Sequence, residues 1–254
     1  MAARESWIDS AFRSSRVNEV YLFMKNEYVL VNYAPCTTKD YVVNGPLPIS
    51  SGYPSLAGTV FGDVGIDCAF GCPGTNRAFI FSGDLCAKID YAPHTTNDRI
   101  IQGPMTIAQM FPCLKNSGFD KGLDAAFEST RQNEAYIFRG RYYALINYAE
   151  GRLLGTRPIT EGFPCLANTL FESGIGAAFA SHRYSEAYLF KDQYYARLYF
   201  TPGATNDYIM GGIKCILPNW PSLRGILPRK NSGVNPRKHP EPIPEQPQCF
   251  IIMN

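Results

Sequence analysis

An excess of charge of either sign is missing from this chain: 24 basic residues stand against 22 acidic ones, for a net charge of +2. So weak a field offers no attraction for a nucleic-acid backbone or an anionic membrane surface, and neither is expected as a partner. Long apolar runs are also missing, since none approaches the ~20 residues a membrane-spanning helix requires. The opening MAARESWIDS has no apolar core of the kind a secretory leader carries, so a soluble, cytosolic protein is expected. The eight cysteines contain no Cys-x-x-Cys pair, and His94, His182 and His239 lie far apart, which leaves a zinc site unsupported by spacing. With no address to an oxidising compartment, the cysteines are expected as buried, reduced thiols. There is no Gly-x-Ser-x-Gly elbow, no His-Glu-x-x-His and no phosphate loop, so an enzyme is not expected.

What is present is aromatic. Sixteen Tyr and sixteen Phe suit a β-rich globular protein, and they recur in register. IDSAFRSSRVNEVYLF from Ile8 returns as IDCAFGCPGTNRAFIF from Ile66, LDAAFESTRQNEAYIF from Leu123 and IGAAFASHRYSEAYLF from Ile175, at separations of 58, 57 and 52 residues. Nine residues always separate Phe12, Phe70, Phe127 and Phe179 from Tyr21, Phe79, Tyr136 and Tyr188. Ten residues beyond Phe23, Phe81, Phe138 and Phe190 come Tyr33, Tyr91, Tyr148 and Phe200. Each unit closes on an aromatic-Pro-x-Leu box, at Tyr53, Phe111, Phe163 and Trp220. Four units of this kind, about 8–65, 66–122, 123–174 and 175–225, follow a short lead of residues 1–7.

Each unit reads as antiparallel strands. Aromatic and β-branched runs such as VYLF and AYIF are followed by turn residues (Lys25-Asn26, Ser82-Gly83-Asp84, Arg139-Gly140, Lys191-Asp192) and then by a second run such as EYVLVNYA. A weaker fourth strand is expected near DYVV, DRIIQ and DYIM, and Pro54, Pro112, Pro164 and Pro221 can each open a short helical turn. About four strands and a short helix per unit, repeated four times, predict an all-β protein: a four-bladed β-propeller. A β-sandwich explains the strands but not the period. Solenoid repeats are usually shorter, ~20 to 45 residues.

In such a propeller the first strand of each blade lines the axis, where space is scarce. Ala11, Ala69, Ala126 and Ala178 fit that crowding, and the neighbouring phenylalanines fall where one sheet packs on the next. Four strands converging on an axis also bring backbone carbonyls together. Oxygens from Asp9, Asp67, Asp124 and Gly176 would make a hard ring suited to Ca²⁺ or Na⁺, through main-chain atoms because Gly176 lacks a carboxylate. The competing reading is that these aspartates only cap turns.

DAAF, EAYxF and the aromatic-Pro box together resemble the hemopexin repeat, and the four copies cover residues 8 to about 223. YAPHTTND, FESGIGAAFASHR and WPSL resemble the albumin-2 group of legume seed proteins, which are single hemopexin-type domains. The resemblance implies tunnel ions, Ca²⁺ or Na⁺ with Cl⁻ as a further candidate. It also implies a cytosolic seed storage protein, dimerisation, and binding of polyamines such as spermine and of haem. Spaced carboxylates suit a polycation, which makes Glu19, Glu134 and Glu186 candidates, although the second unit carries Arg77 at that place. For haem an axial histidine is needed, and His94 and His182 are the repeat-region candidates. The rival function is a nitrogen-reserve or interaction scaffold whose tunnel ion is only structural. Residues 226–254, rich in proline and without a strand pattern, are expected as a disordered tail.

Overall fold

The structure is a computed structural model describing residues 7–229. Its first sheet runs in the order β1 (Ser10–Arg13), β2 (Glu19–Met24), β3 (Glu27–Asn32) and β4 (Tyr41–Pro48). The second is β5 (Cys68–Cys72), β6 (Arg77–Ser82), β7 (Leu85–Asp90) and β8 (Arg99–Thr106), and the third is β9 (Ala125–Glu128), β10 (Glu134–Arg139), β11 (Tyr142–Asn147) and β12 (Arg152–Pro158). The fourth comprises β13 (Ala177–Ala180), β14 (Glu186–Lys191) and β15 (Tyr194–Tyr199), whose outer edge is in two pieces, β16 (Tyr208–Ile209) and β17 (Lys214–Cys215). All pairings are antiparallel. The innermost strands form a closed ring, with β1 and β9 each packed beside both β5 and β13. This is the expected four-bladed propeller.

The local chemistry explains each blade. Buried aromatic and β-branched side chains fill the middle strands, while the outer strands β4, β8 and β12 are largely exposed. The turn between second and third strands needs a left-handed residue at its first position. Lys25, Gly83, Gly140 and Asp192 take it, with φ of 58°, 56°, 53° and 51°. That shifts three turns from where the sequence put them: Ser82, Arg139 and Lys191 close their strands, and the turn pairs are Gly83-Asp84, Gly140-Arg141 and Asp192-Gln193. Each predicted proline opens a 3₁₀ turn, at Pro54–Leu56, Pro112–Leu114, Pro164–Leu166 and Pro221–Leu223. The third unit has a full outer strand, β12, that the sequence reading did not place.

The core lies between blades rather than within one. Phe12 meets Tyr91 of the next blade at 5.0 Å between ring centroids; Phe70 meets Tyr148 at 5.5 Å, Phe127 meets Phe200 at 5.1 Å, and Phe179 meets Tyr33 at 5.2 Å. The last pair closes the ring through packing, because the described cysteines are all free thiols. Cys68, Cys72 and Cys86 are buried as expected, but Cys36 and Cys215 are exposed, since loop and edge-strand positions put them outside the core. Packing also continues past residue 225: Leu227 is buried beside Trp220 and Leu223, and Arg229 pairs with Glu27 at 2.9 Å. The rest of the expected tail lies outside the described residues.

Candidate functional site: the axial tunnel and the seams between blades

At one end of the inner strands, the amides of Asp9, Asp67, Asp124 and Gly176 donate to Phe23, Phe81, Phe138 and Phe190 carbonyls at 2.9, 2.8, 2.8 and 2.8 Å. Four repeats thus enter the axis by one shared bond. The three carboxylates turn back onto the hairpins and accept from the first turn amides, of Lys25 (2.7 Å), Gly83 (2.7 Å) and Gly140 (2.6 Å). They fix the left-handed turn residue by satisfying its N–H. Among the described residues, no group of three His, Cys, Asp or Glu side chains is arranged to hold a metal ion. With the carboxylates turned onto the hairpins, the donors left for any cation on the axis would be main-chain oxygens, which suit a hard ion.

The other end of the inner strands is unlike this one. The residue after the repeated phenylalanine is Arg13, Gly71, Glu128 or Ala180. Glu128 is only 1 % exposed. Its Oε1 accepts from the Gly71 amide at 2.7 Å and lies 3.9 Å from Arg13 Nε, while Arg13 donates to the Ser181 carbonyl at 2.7 Å. The bar formed by Glu128 and Arg13 therefore ties all four blades across the tunnel. Burial pushes the Glu128 carboxyl upward, against the pull of Arg13 and of the amides of Glu128, Gly71 and Ala180.

Glu19, Glu134 and Glu186 each begin the second strand of a blade, and the fold keeps them on separate blades. Glu19 bonds His94 Nε2 at 2.8 Å. Glu186 accepts from Arg183 at 2.7 Å and has Arg197 at 3.5 Å, so two of the three already hold side-chain partners. Glu134 Oε2 is buried without a hydrogen-bond partner. His182 has both ring nitrogens engaged: Nε2 donates to the Ser14 carbonyl at 2.9 Å, and Nδ1 accepts from the Asn18 amide at 3.2 Å beside Tyr33 Oη at 3.0 Å. Burial holds this imidazole below its usual pKa. Both histidines are ties between blades, His94 reaching from the second to the first and His182 from the fourth to the first.

Sequence reasoning missed a second set of ties. Asp98 Oδ2 accepts from the amide (3.2 Å) and the hydroxyl of Ser55, in the box of the preceding blade. Asp40 makes the same pair with Ser222 (amide 2.9 Å), and Asp207 accepts from the Cys165 amide at 3.1 Å. These aspartates latch three seams. Beside the first of them opens a cavity of about 540 Å³ walled by Tyr21, Tyr28, Tyr53, Tyr91 and His94. The signal was available: each latch lies seven residues beyond Tyr33, Tyr91 or Phe200, where the third unit has Gly155. Burial raises Cys72 to about 11 and Cys86 to about 12, which keeps both thiols protonated.

The Hemopexin family model matches residues 123–166, one unit of the four. Albumin-2 of Pisum sativum is 50 % identical over 230 residues, covering 90 % of this chain and 99 % of that protein. Two solved structures superpose at a TM-score of 0.86, each spanning 88 % of this chain and 100 % of theirs. One, 54 % identical, is described as a plant albumin from Cicer arietinum showing hemagglutination. The other, 55 % identical, is described as a plant lectin with two metal binding sites from Cicer arietinum.

Proposed function

This chain belongs to the albumin-2 family of seed albumins with the hemopexin fold, and from that premise we propose a non-enzymatic, ligand-holding role with Ca²⁺ or Na⁺ in the axial tunnel. The observation that carries the reading is the four-fold identity of the strand entries at Asp9, Asp67, Asp124 and Gly176. One relative is described as having two metal binding sites, which supports it further. Main-chain oxygens from four strands supply hard donors without charge, so the ion is held by geometry rather than by carboxylates. The protein is proposed to work as a cytosolic homodimer.

Polyamine binding is the second part of the proposal. The buried, unpartnered Oε2 of Glu134 favours an ammonium group such as those of spermine, whereas Glu19 and Glu186 must first release His94 and the arginines. For haem, His94 is the candidate ligand, with 43 % of its side chain exposed. His182 would have to give up bonds from both nitrogens.

Chelation followed by thermal melting tests the ion. A native-state ligand stabilises by mass action, so removal of the ion lowers the melting temperature and Ca²⁺ or Na⁺ restores it. A melting curve indifferent to both overturns the tunnel reading. Calorimetric titration with spermine then separates ligand binding, which gives saturable heat, from a nitrogen-reserve scaffold with a structural ion, which gives none.

A further inference from the structure

Three seam cavities are walled by the same repeat positions, and they differ in charge. The one between the third and fourth blades is about 160 Å³ and has Arg157 and Asp207 in its lining. The one between the fourth and first is about 350 Å³ and has Lys39, Arg197 and Lys214. The cavity between the first and second blades is the largest of the three, at about 540 Å³, a size typical of small-molecule sites. No lysine, arginine, aspartate or glutamate is among the described residues that line it. Its imidazole, His94, already bonds Glu19 at 2.8 Å.

The aromatic side of this cavity is fixed by packing. Tyr53 meets Tyr28 edge-on at 5.1 Å and Tyr21 at 6.0 Å between ring centroids. A Cβ at Gly52 would collide with the Tyr28 ring, so glycine lets the box turn seat against it. One atom in this wall is not accounted for by the fold. Tyr53 is 2 % exposed, and its hydroxyl is buried without a hydrogen-bond partner. The corresponding box residues are Phe111, Phe163 and Trp220, so the other three units close without a hydroxyl. Tyr28 accepts from Asn44 Nδ2 at 3.3 Å and Tyr91 from the Ser15 amide at 2.7 Å, whereas nothing equivalent reaches Tyr53. A buried hydroxyl without a partner carries a desolvation cost that a bound polar group offsets.

We propose that the cavity between the first and second blades binds a neutral, hydroxylated aromatic molecule, a polyphenol. Its hydroxyl pairs with Tyr53 Oη, and its ring lies against Tyr28 and the apolar side chains of Leu30, Val43 and Leu47, where aromatic surface is favoured. An organic anion would find no lysine or arginine in this lining and a polyamine no carboxylate. The site therefore goes beyond the ligands proposed above, and it needs neither Glu134 nor a tunnel ion.

Calorimetric titration of the full chain with catechin, an uncharged polyphenol, tests this beside protocatechuate, tyramine and methyl glucoside as anionic, cationic and non-aromatic controls. Catechin is expected to bind saturably, and the charged controls about tenfold more weakly or not at all, because a charge buried in this lining is unpaired. Tyr53→Phe copies the ring of Phe111 and Phe163, so its melting temperature should be no lower than that of wild type. Its affinity for catechin should fall by about five- to tenfold, the effect of one lost hydrogen bond. Thr96→Trp, at an exposed position of the lining, should block catechin without touching Tyr53. Catechin binding that does not saturate, or that is no tighter than that of tyramine or methyl glucoside, overturns the proposal. So does an affinity left unchanged by either substitution. Spermine titration and chelation are read separately, so their failure leaves this result intact.

Discussion

Three seams of this propeller are latched and one is not. Between the first and second, third and fourth, and fourth and first blades, an aspartate from one blade accepts from the box of its neighbour. Between the second and third blades, Gly155 stands where that aspartate would be. The unlatched seam relies on Phe70, Phe79 and Phe111 packed with Tyr148, where the rings of Phe79 and Phe111 lie 5.3 Å apart. It also has a tie in which Arg139 donates to the Gly118 carbonyl, ahead of the 3₁₀ turn Phe119–Lys121, as Lys191 donates to the Leu170 carbonyl at 2.7 Å across the third-to-fourth seam. The difference teaches that buried aromatic surface, with polar ties of other kinds, closes a blade interface without the aspartate latch.

The largest effect is expected from removing a ring at the seam without a latch. Phe→Ala in a core costs ~3 to 5 kcal/mol, and Phe70→Ala should cost at least as much as Phe12→Ala, whose seam keeps Asp98. Urea unfolding of the two variants checks this, and a clearly larger loss for Phe12→Ala breaks the comparison. Next comes the latch. Asp98→Ala strands the Ser55 amide and hydroxyl, worth ~1 to 3 kcal/mol when a half-buried group loses its partner. Gly155→Ala should move stability by no more than ~0.5 kcal/mol, since a Cβ there meets nothing within 4 Å. Chemical denaturation read beside hydrogen exchange in the β8 and β12 edges distinguishes the two seams.

The smallest effect is a matter of pH. Burial lowers the His182 pKa from 6.5, so the folded protein binds a proton less readily than the unfolded chain. Its contribution is present above pH 6.5 and is lost as the pH falls from there toward the lowered folded value. Gln at this position cannot titrate. The stability difference between wild type and His182→Gln is therefore expected to shrink with falling pH across that window, as measured by melting at a series of pH values. A difference constant with pH removes His182 as the titrating tie of the closing seam.

Much of the fold was legible because a repeat multiplies weak signals. One AYIF run is an ordinary strand, but four with the same spacing to a phenylalanine and a proline box state that one unit is built four times. Small side chains at Ala11, Ala69, Ala126 and Ala178 were expected from crowding; all four are buried, each in a core cluster shared by two blades. The site was less legible. The glutamates were chosen because they recur, yet Glu128, the acid that reaches the axis, does not recur. Its position is visible in the sequence only as an exception to the pattern. The latches failed to register for the opposite reason: Asp40, Asp98 and Asp207 recur at a fixed offset, but their partners lie in the next blade or, for the closing seam, at the other end of the chain.

By itself, the sequence determined the number of blades and the antiparallel inner strands of each. Periodicity and side-chain size act locally and need no partner to be read. Only the tertiary structure decided which carboxylates serve the turns, which bridge blades and which one crosses the tunnel. Aspartate and glutamate have the same chemistry wherever they occur, and their roles are set by the donors that folding brings within about 3 Å of them.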